Sequence, residues 1–116
     1  MSGPIYKVCT EAAYSGALAQ GQFDGSPDDR RDGFIHLSTA DQLEGTLAKH
    51  FARQRGLLLL EVDAARLREG LKWEPSRGGA LFPHLYAPLP VTAILSVRKL
   101  ELADDGSHRL PDEVPA

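Results

Sequence analysis

One almost unbroken apolar run constrains the fold more than any other feature of this chain. Residues 57–62 read Leu-Leu-Leu-Leu-Glu-Val, a stretch of strand length. Such a run is typical of a strand in the middle of a sheet, where both faces are covered. The chain has 116 residues, which leaves room for one domain with one core. The sequence therefore predicts a single small domain built around a sheet.

Helices alternate with strands before this run, and strands predominate after it. The elements predicted before it are a strand at 5–9, a helix from Thr10 to about Gly21, a loop at 23–32 long enough to form a mobile flap, a strand at 34–37 and a helix from a capping box at 39–42 to Gly56. Those predicted after it are a short helical turn ending at Gly70, strands at 71–74 and 83–86, and a β-prone segment at 91–102.

This order of elements predicts an α+β domain with a mostly antiparallel or mixed sheet and two main helices. The polar residues and prolines near the end of the sequence are typical of a chain terminus without regular structure. We therefore expect one domain over residues 1–102 and a flexible tail over residues 103–116.

Charge and cysteine content exclude several classes of protein. The net charge is -3 and the pI is about 5.7, so the chain lacks the basic surplus that drives binding to duplex nucleic acid. Cys9 is the only cysteine, which excludes an intrachain disulfide and a thiolate-rich zinc site. There is no signal-peptide pattern and no apolar run of about 20 residues. We expect a cytoplasmic protein without a membrane partner.

Two short segments, Gly-Phe-Ile-His-Leu-Ser-Thr and Leu-Phe-Pro-His-Leu-Tyr, each set one histidine among apolar residues. Alternation along a strand puts His36 on one face with Ser38, and His84 on one face with Tyr86. Imidazole titrates near neutral pH, so a histidine over a cleft can act as an acid or a base. The alternative is structural, because a core histidine can simply hydrogen-bond a backbone carbonyl.

A third candidate group combines an aromatic face, a carboxylate and a cation within five positions. Trp73 and Glu74 are adjacent, and Arg77 follows after Pro and Ser. A carboxylate at a cleft can orient a sugar hydroxyl or act as a base. An arginine can bind a phosphate through two hydrogen bonds. The alternative is a solvated surface pair of Glu74 and Arg77.

Several common motifs are missing from the sequence. There is no Gly-x-Ser-x-Gly, no Gly-x-Gly-x-x-Gly and no Walker pattern, so neither a serine nucleophile elbow nor the usual nucleotide cradles are supported. A metal site would have to use His36, His84 and Glu74, which lack a compact ligand spacing such as His-Glu-x-x-His. We expect no metal.

The chain resembles the bacterial domain of unknown function family 952 from about residue 5 to residue 100. The resemblance is carried by four segments in order: Ile5-Tyr6-Lys7, the histidine segment at 33–39, Trp73-Glu74 and the histidine segment at 81–86. That family is grouped by remote similarity with the ADP-ribosyltransferase-like fold, which includes RNA 2′-phosphotransferases that consume NAD. The resemblance implies a small split β-sheet with a central cleft for nicotinamide and its ribose.

The resemblance also implies a reaction, the cleavage of the bond between nicotinamide and ribose through an oxocarbenium-like state. NAD would be the substrate, and the acceptor would be a small molecule, an RNA end, a protein or water. The catalytic candidates are His36, His84 and Glu74. The candidates for binding NAD are Lys7, Ser38, Thr39, Trp73, Arg77 and Tyr86.

Two other functions are compatible with the same residues. Many members of the family carry a histidine where this chain has Lys7, and this difference favours a noncatalytic module that binds a nucleotide or another small ligand. A hydrolase that uses His36 as its base is the third hypothesis. The sequence contains no signal for a particular oligomeric state.

Overall fold

The computed structural model describes residues 4–111, apart from the side chain of Arg77. It contains helices α1 (Glu11–Gln20), α2 (Pro27–Asp32) and α3 (Leu43–His50). The strands are β1 (Ile5–Thr10), β2 (Gln22–Phe23), β3 (Ile35–His36), β4 (Ser38–Thr39), β5 (Leu57–Val62), β6 (Leu71–Pro75), β7 (Leu81–Leu85), β8 (Leu89–Pro90), β9 (Ile94–Lys99), β10 (Glu101–Leu102) and β11 (His108–Arg109). All strand pairs are antiparallel, so the predicted α+β class is confirmed.

The apolar run at 57–62 forms β5 in the interior of a four-stranded sheet with the order β4-β1-β5-β9. Leu58 and Leu60 belong to a cluster on one face with Ile5, whereas Leu57 and Leu59 belong to a second cluster with Leu43. Both faces of β5 are therefore covered, which explains why the run is apolar at successive positions. A fully buried leucine of this kind contributes roughly 1.5–3 kcal/mol relative to an exposed one.

The histidine segments lie in a second sheet, which has three strands in the order β3-β7-β6. In its register Ile35 pairs with Leu85, and His36 pairs with His84. Ile35 and Leu85 are buried in the main apolar cluster. The histidines therefore lie on the opposite face of this sheet from the core, because neighbours along a strand alternate between faces.

The prediction of a loop over 23–32 was wrong for its second half, which forms α2. The Ser26 side chain accepts a hydrogen bond from the backbone N–H of Asp29, the Asp29 carboxylate accepts one from the backbone N–H of Ser26, and Pro27 occupies the first turn. This is a capping box followed by an N-terminal proline, both strong helix-start signals. The predicted mobile flap is thus a short capped helix with a buried residue, Asp29, on its inner side.

Two further boundaries differ from the sequence prediction. The strand at 34–37 is interrupted, because β3 joins the second sheet while β4 pairs with β1 of the first sheet. Helix α3 follows a single 3-10 turn at Ala40–Gln42 and ends at His50 instead of continuing to Gly56. Beyond it, Arg53 takes a left-handed backbone conformation with φ 66° and donates its N–H to the carbonyl of Gly106. That turn is incompatible with a continuing helix.

Regular structure continues past residue 102. β10 and β11 form a small hairpin in which Glu101 pairs with Arg109, and His108 Nε2 lies 2.6 Å from the carbonyl of Gln54. The segment predicted as a tail, 103–116, thus falls partly on this hairpin, and its last five residues lie outside the described residues. None of the described helices is long and apolar enough to cross a membrane.

Candidate functional site

His36 and His84 are direct neighbours across the β3-β7 pairing. Their ring centroids are 5.6 Å apart and the rings meet nearly at right angles, with an interplanar angle of 77°. His84 is buried, whereas about 40% of the His36 side chain is exposed. The two segments that the sequence singled out therefore bring their imidazoles into one group, although they are far apart along the chain.

A carboxylate holds the ring of His84. Glu74 lies on β6 and its Oε1 is 2.7 Å from His84 Nδ1. Tyr86 donates its hydroxyl to the same oxygen, also at 2.7 Å. These two bonds, that from His84 first, lower the pKa of Glu74, and the same carboxylate raises the pKa of Tyr86. Because an ionised carboxylate only accepts, His84 donates from Nδ1, and its Nε2 is the acceptor of the neutral ring.

A second carboxylate holds the ring of His36. Asp32, the last residue of α2, has its Oδ2 2.7 Å from His36 Nε2. Hydrogen bonds from Arg31 and then from His36 lower the pKa of Asp32. His36 therefore donates from Nε2, which is the opposite tautomer from His84 when both rings are neutral. Each imidazole thus has a fixed orientation and a defined donor atom.

Phe34 joins the aromatic members of the group. Its ring stacks on His84 with centroids 4.1 Å apart and an angle of 25°. The same ring lies 4.6 Å from His36 and 5.2 Å from Tyr86, measured between centroids. Phe34 thereby covers one side of the buried imidazole. Its contacts stabilise the cluster on that side, since aromatic pairs of this geometry attract.

Lys7 connects β1 to α2 and to the backbone of His36. Its Nζ lies 2.8 Å from Asp29 Oδ2 and donates to the carbonyl of His36 at 2.9 Å. Asp29 also accepts from the backbone N–H of His36 at 3.1 Å. Both charged side chains are almost fully buried. The residue predicted to contact NAD therefore has its ammonium group engaged in a buried ion pair that fixes His36.

A cleft of about 270 Å³ opens beside these residues. It lies between α2 and α3, and its lining includes Lys7, His36, Ser38 and His84. Most small-molecule sites occupy roughly 300–1,000 Å³. The cleft lies just below this range, so it suits a ligand of nucleoside size, and a dinucleotide would have to extend beyond it.

The other predicted site residues lie at varying distances from the group. Ser38 is buried at the cleft and its hydroxyl lies 2.9 Å from that of Thr46. Thr39 donates its backbone N–H to Oε1 of Gln42 at 3.0 Å, next to the 3-10 turn. Trp73 pairs with Pro83 and so lies on the opposite face of the sheet from His84 and Glu74. The structure does not bring Trp73 to the histidines.

Arg77 was predicted to bind a ligand, and its side chain lies outside the described part of the structure. Within the described residues, no group of three or more His, Cys, Asp or Glu side chains could hold a metal ion. Burial raises the pKa of the Cys9 thiol to about 11, so this cysteine is a protonated core residue at neutral pH.

Asp29 and Asp32 were missed in the sequence, because both lie in the segment predicted as a loop. The order Ser26-Pro27-Asp28-Asp29 carries the signal that could have found them, since a capping residue, a proline and two acidic residues mark a helix start. A helix ending at Asp32 puts this carboxylate next to the histidine that follows four residues later.

Comparison with known proteins gives the family but no activity. The sequence matches the family model "Protein of unknown function (DUF952)" over residues 8–97. The crystal structure of protein CC0527 from Caulobacter crescentus is 49% identical, with a TM-score of 0.93, over 97% of this chain and 98% of that chain. The solution NMR structure of the same protein is 51% identical, with a TM-score of 0.80, over 90% of each chain. No curated protein matches. This chain belongs to the DUF952 family.

Proposed function

We propose that the protein binds NAD in the cleft beside His36 and His84 and cleaves the bond between nicotinamide and ribose. The proposal combines the resemblance to ADP-ribosyltransferase-like proteins with one structural observation. Two imidazoles, each oriented by its own carboxylate, flank a cleft large enough for the nicotinamide riboside part of NAD. Oriented donors and acceptors around a sugar are what an oxocarbenium-like state requires.

The reaction needs no strong nucleophile from the protein. The bond from the anomeric carbon to the nicotinamide nitrogen breaks, and its electron pair neutralises the charge of the pyridinium ring. An acceptor oxygen then attacks the anomeric carbon and loses a proton. His84 Nε2 is the base in this scheme, and the Glu74 carboxylate 2.7 Å from Nδ1 stabilises the imidazolium that forms. His36 orients the sugar.

Nicotinamide release from NAD tests this function. The wild-type protein should release nicotinamide, and His84→Ala and Glu74→Gln should each reduce the rate by about 10²-fold or more, the usual scale for a general base. His108→Gln is the matched control, because this histidine lies on β11 and does not line the cleft. Retention of the wild-type rate in His84→Ala, with the fold intact by circular dichroism, would rule out the proposed base.

A noncatalytic binding module is the second candidate, and the state of Lys7 favours it. Its ammonium group is held by Asp29 and by the carbonyl of His36, so it supports the site without reaching a ligand. For this function, calorimetry should detect NAD binding that His36→Ala weakens, while the NAD stays intact during long incubation. Nicotinamide release by the wild-type protein that the active-site variants abolish would exclude a purely noncatalytic role.

A further inference from the structure

The cleft beside the histidine pair also carries the chemistry of an anion site. Arg31 from α2 and Lys49 from α3 line it from two separate helices. Serine and threonine side chains among the described residues line the same cleft, those of Ser26, Ser38, Thr46 and Ser76. Guanidinium, ammonium and hydroxyl groups are the donors that proteins use to bind phosphate oxygens.

The two neighbouring arginines of α2 face different surfaces. Arg31 lines the cleft beside the histidines, whereas Arg30 lines a separate depression together with Phe34 and Tyr86. They are consecutive residues on one short helix, so they share local structure and charge and differ in the direction that they face. This pair offers a matched internal control.

Some charged side chains of the cleft form ion pairs with each other, and others do not. Of the described residues, three cations and three aspartates line it, but the buried pair of Lys7 and Asp29 neutralises itself. Arg31 lies 3.2 Å from both Asp28 and Asp32, in pairs that are largely exposed and therefore weak. Among the described residues Lys49 has no ion-pair partner. The unbalanced positive charge lies on the α3 side.

We propose that Arg31 and Lys49 form a subsite for the phosphate of a nucleotide whose base and sugar lie beside the histidines. This proposal rests on the proposed function and adds the ligand class at one end of the cleft. Arg31 turns from its exposed aspartate partners to the phosphate and binds two oxygens, and Lys49 supplies a second charge. The ion pairs that Arg31 gives up are each worth about 1 kcal/mol or less.

Three probes separate the contributions of phosphate and nucleoside: nicotinamide mononucleotide, nicotinamide riboside and inorganic pyrophosphate. Calorimetry with the wild-type protein should give at least tenfold tighter binding of the mononucleotide than of the riboside, since charge-assisted hydrogen bonds contribute on that scale. Arg31→Gln and Lys49→Gln should each remove most of this difference. Arg30→Gln should leave it unchanged, and Lys99→Gln on β9 is a second charge control.

The outcomes distinguish this subsite from the proposed function. Equal affinity for mononucleotide and riboside would overturn the subsite and leave the NAD function standing. Binding of pyrophosphate that depends on Arg31, without binding of either nicotinamide compound, would support the subsite and overturn the NAD function. An Arg30→Gln variant that weakens pyrophosphate binding as much as Arg31→Gln would indicate general charge attraction and overturn the subsite.

Discussion

At the scale of single residues, the buried pair of Lys7 and Asp29 connects the core of the protein to its candidate site. Lys7 belongs to β1 of the first sheet, and Asp29 belongs to α2 above the cleft. Asp29 also accepts from the backbone of Ser26 and His36. One carboxylate therefore caps a helix, neutralises a buried cation and positions the histidine strand. A buried charge with three partners is costly to leave without its counter-ion.

Replacing Lys7 with methionine should strongly destabilise the protein. The substitution leaves Asp29 buried without its cation, and breaking a buried pair in this way costs about 3–5 kcal/mol. Urea unfolding measures the change. Lys99→Met, on the exposed part of β9, is the matched control and should stay within about 0.5 kcal/mol of the wild type. A Lys7→Met protein as stable as this control would show that the pair does not anchor α2.

The residue pattern singled out both histidines of the group, but it did not predict how their rings are oriented or which carboxylates hold them. Alternation put each histidine on the face opposite its apolar neighbours, and it left open whether that face lined a cleft or packed in the core. Their direct pairing depends on strand register between distant segments, which the local sequence does not encode. Asp32 could not be assigned to His36 while residues 23–32 were predicted as a loop.

At the scale of elements, α2 depends on the glycine that precedes its cap. Gly25 has a φ of 115°, a conformation that L side chains rarely adopt. A Cβ atom there would lie 2.9 Å from Cβ of Asp29, closer than real Cβ contacts. The chain must therefore enter the helix through glycine for Asp29 to reach Lys7.

Gly25→Ala should destabilise the protein by about 1–3 kcal/mol, the cost of a residue held in a strained backbone region. Hydrogen exchange should also become faster in α2, because the displaced Asp29 loses its bonds to Ser26 and His36. Gly16→Ala is the control: nothing lies within 4 Å of its added Cβ, and alanine favours the α1 helix by about 0.5–1 kcal/mol. Equal stability of the two variants would contradict this account of α2.

Element types were more predictable than element ends. The apolar run of β5 and the capped start and glycine end of α1 follow from local sequence, and the structure confirms them. The end of α3 at His50 does not follow from local sequence. It depends on the turn at Arg53, whose N–H donates to the carbonyl of Gly106, a residue remote in sequence. The division of residues 34–39 between two sheets likewise depends on distant partner strands.

At the scale of the whole molecule, acidic groups couple stability to pH. Hydrogen bonds and nearby cations lower the pKa of Asp32, Glu74 and Asp105 below their ordinary values of 3.8, 4.5 and 3.8. Each carboxylate therefore stabilises the folded state when the pH lies above the ordinary pKa of that group. This contribution is lost as the pH falls through the lowered value in the folded protein.

The urea midpoint should therefore fall as the pH is lowered from about 5 towards 2, and the fall should begin near the ordinary carboxyl pKa values. Glu74→Gln removes one of the three groups, so its midpoint should fall less steeply over the same range. Glu101→Gln, at an exposed position on β10, is the matched control for the loss of one carboxylate charge. A Glu74→Gln curve parallel to that of the wild type would contradict the assigned coupling to His84.

The central claim is that His36 and His84 form one ligand site, and imidazole NMR signals during a titration with NAD test it most directly. The chain has four histidines, so their ring resonances can be assigned with single substitutions. We predict that the His36 and His84 signals shift together with one saturable dissociation constant, while His108 on β11 stays unchanged. Unchanged His36 and His84 signals at millimolar NAD, or a shift of His108 alone, would contradict the claim.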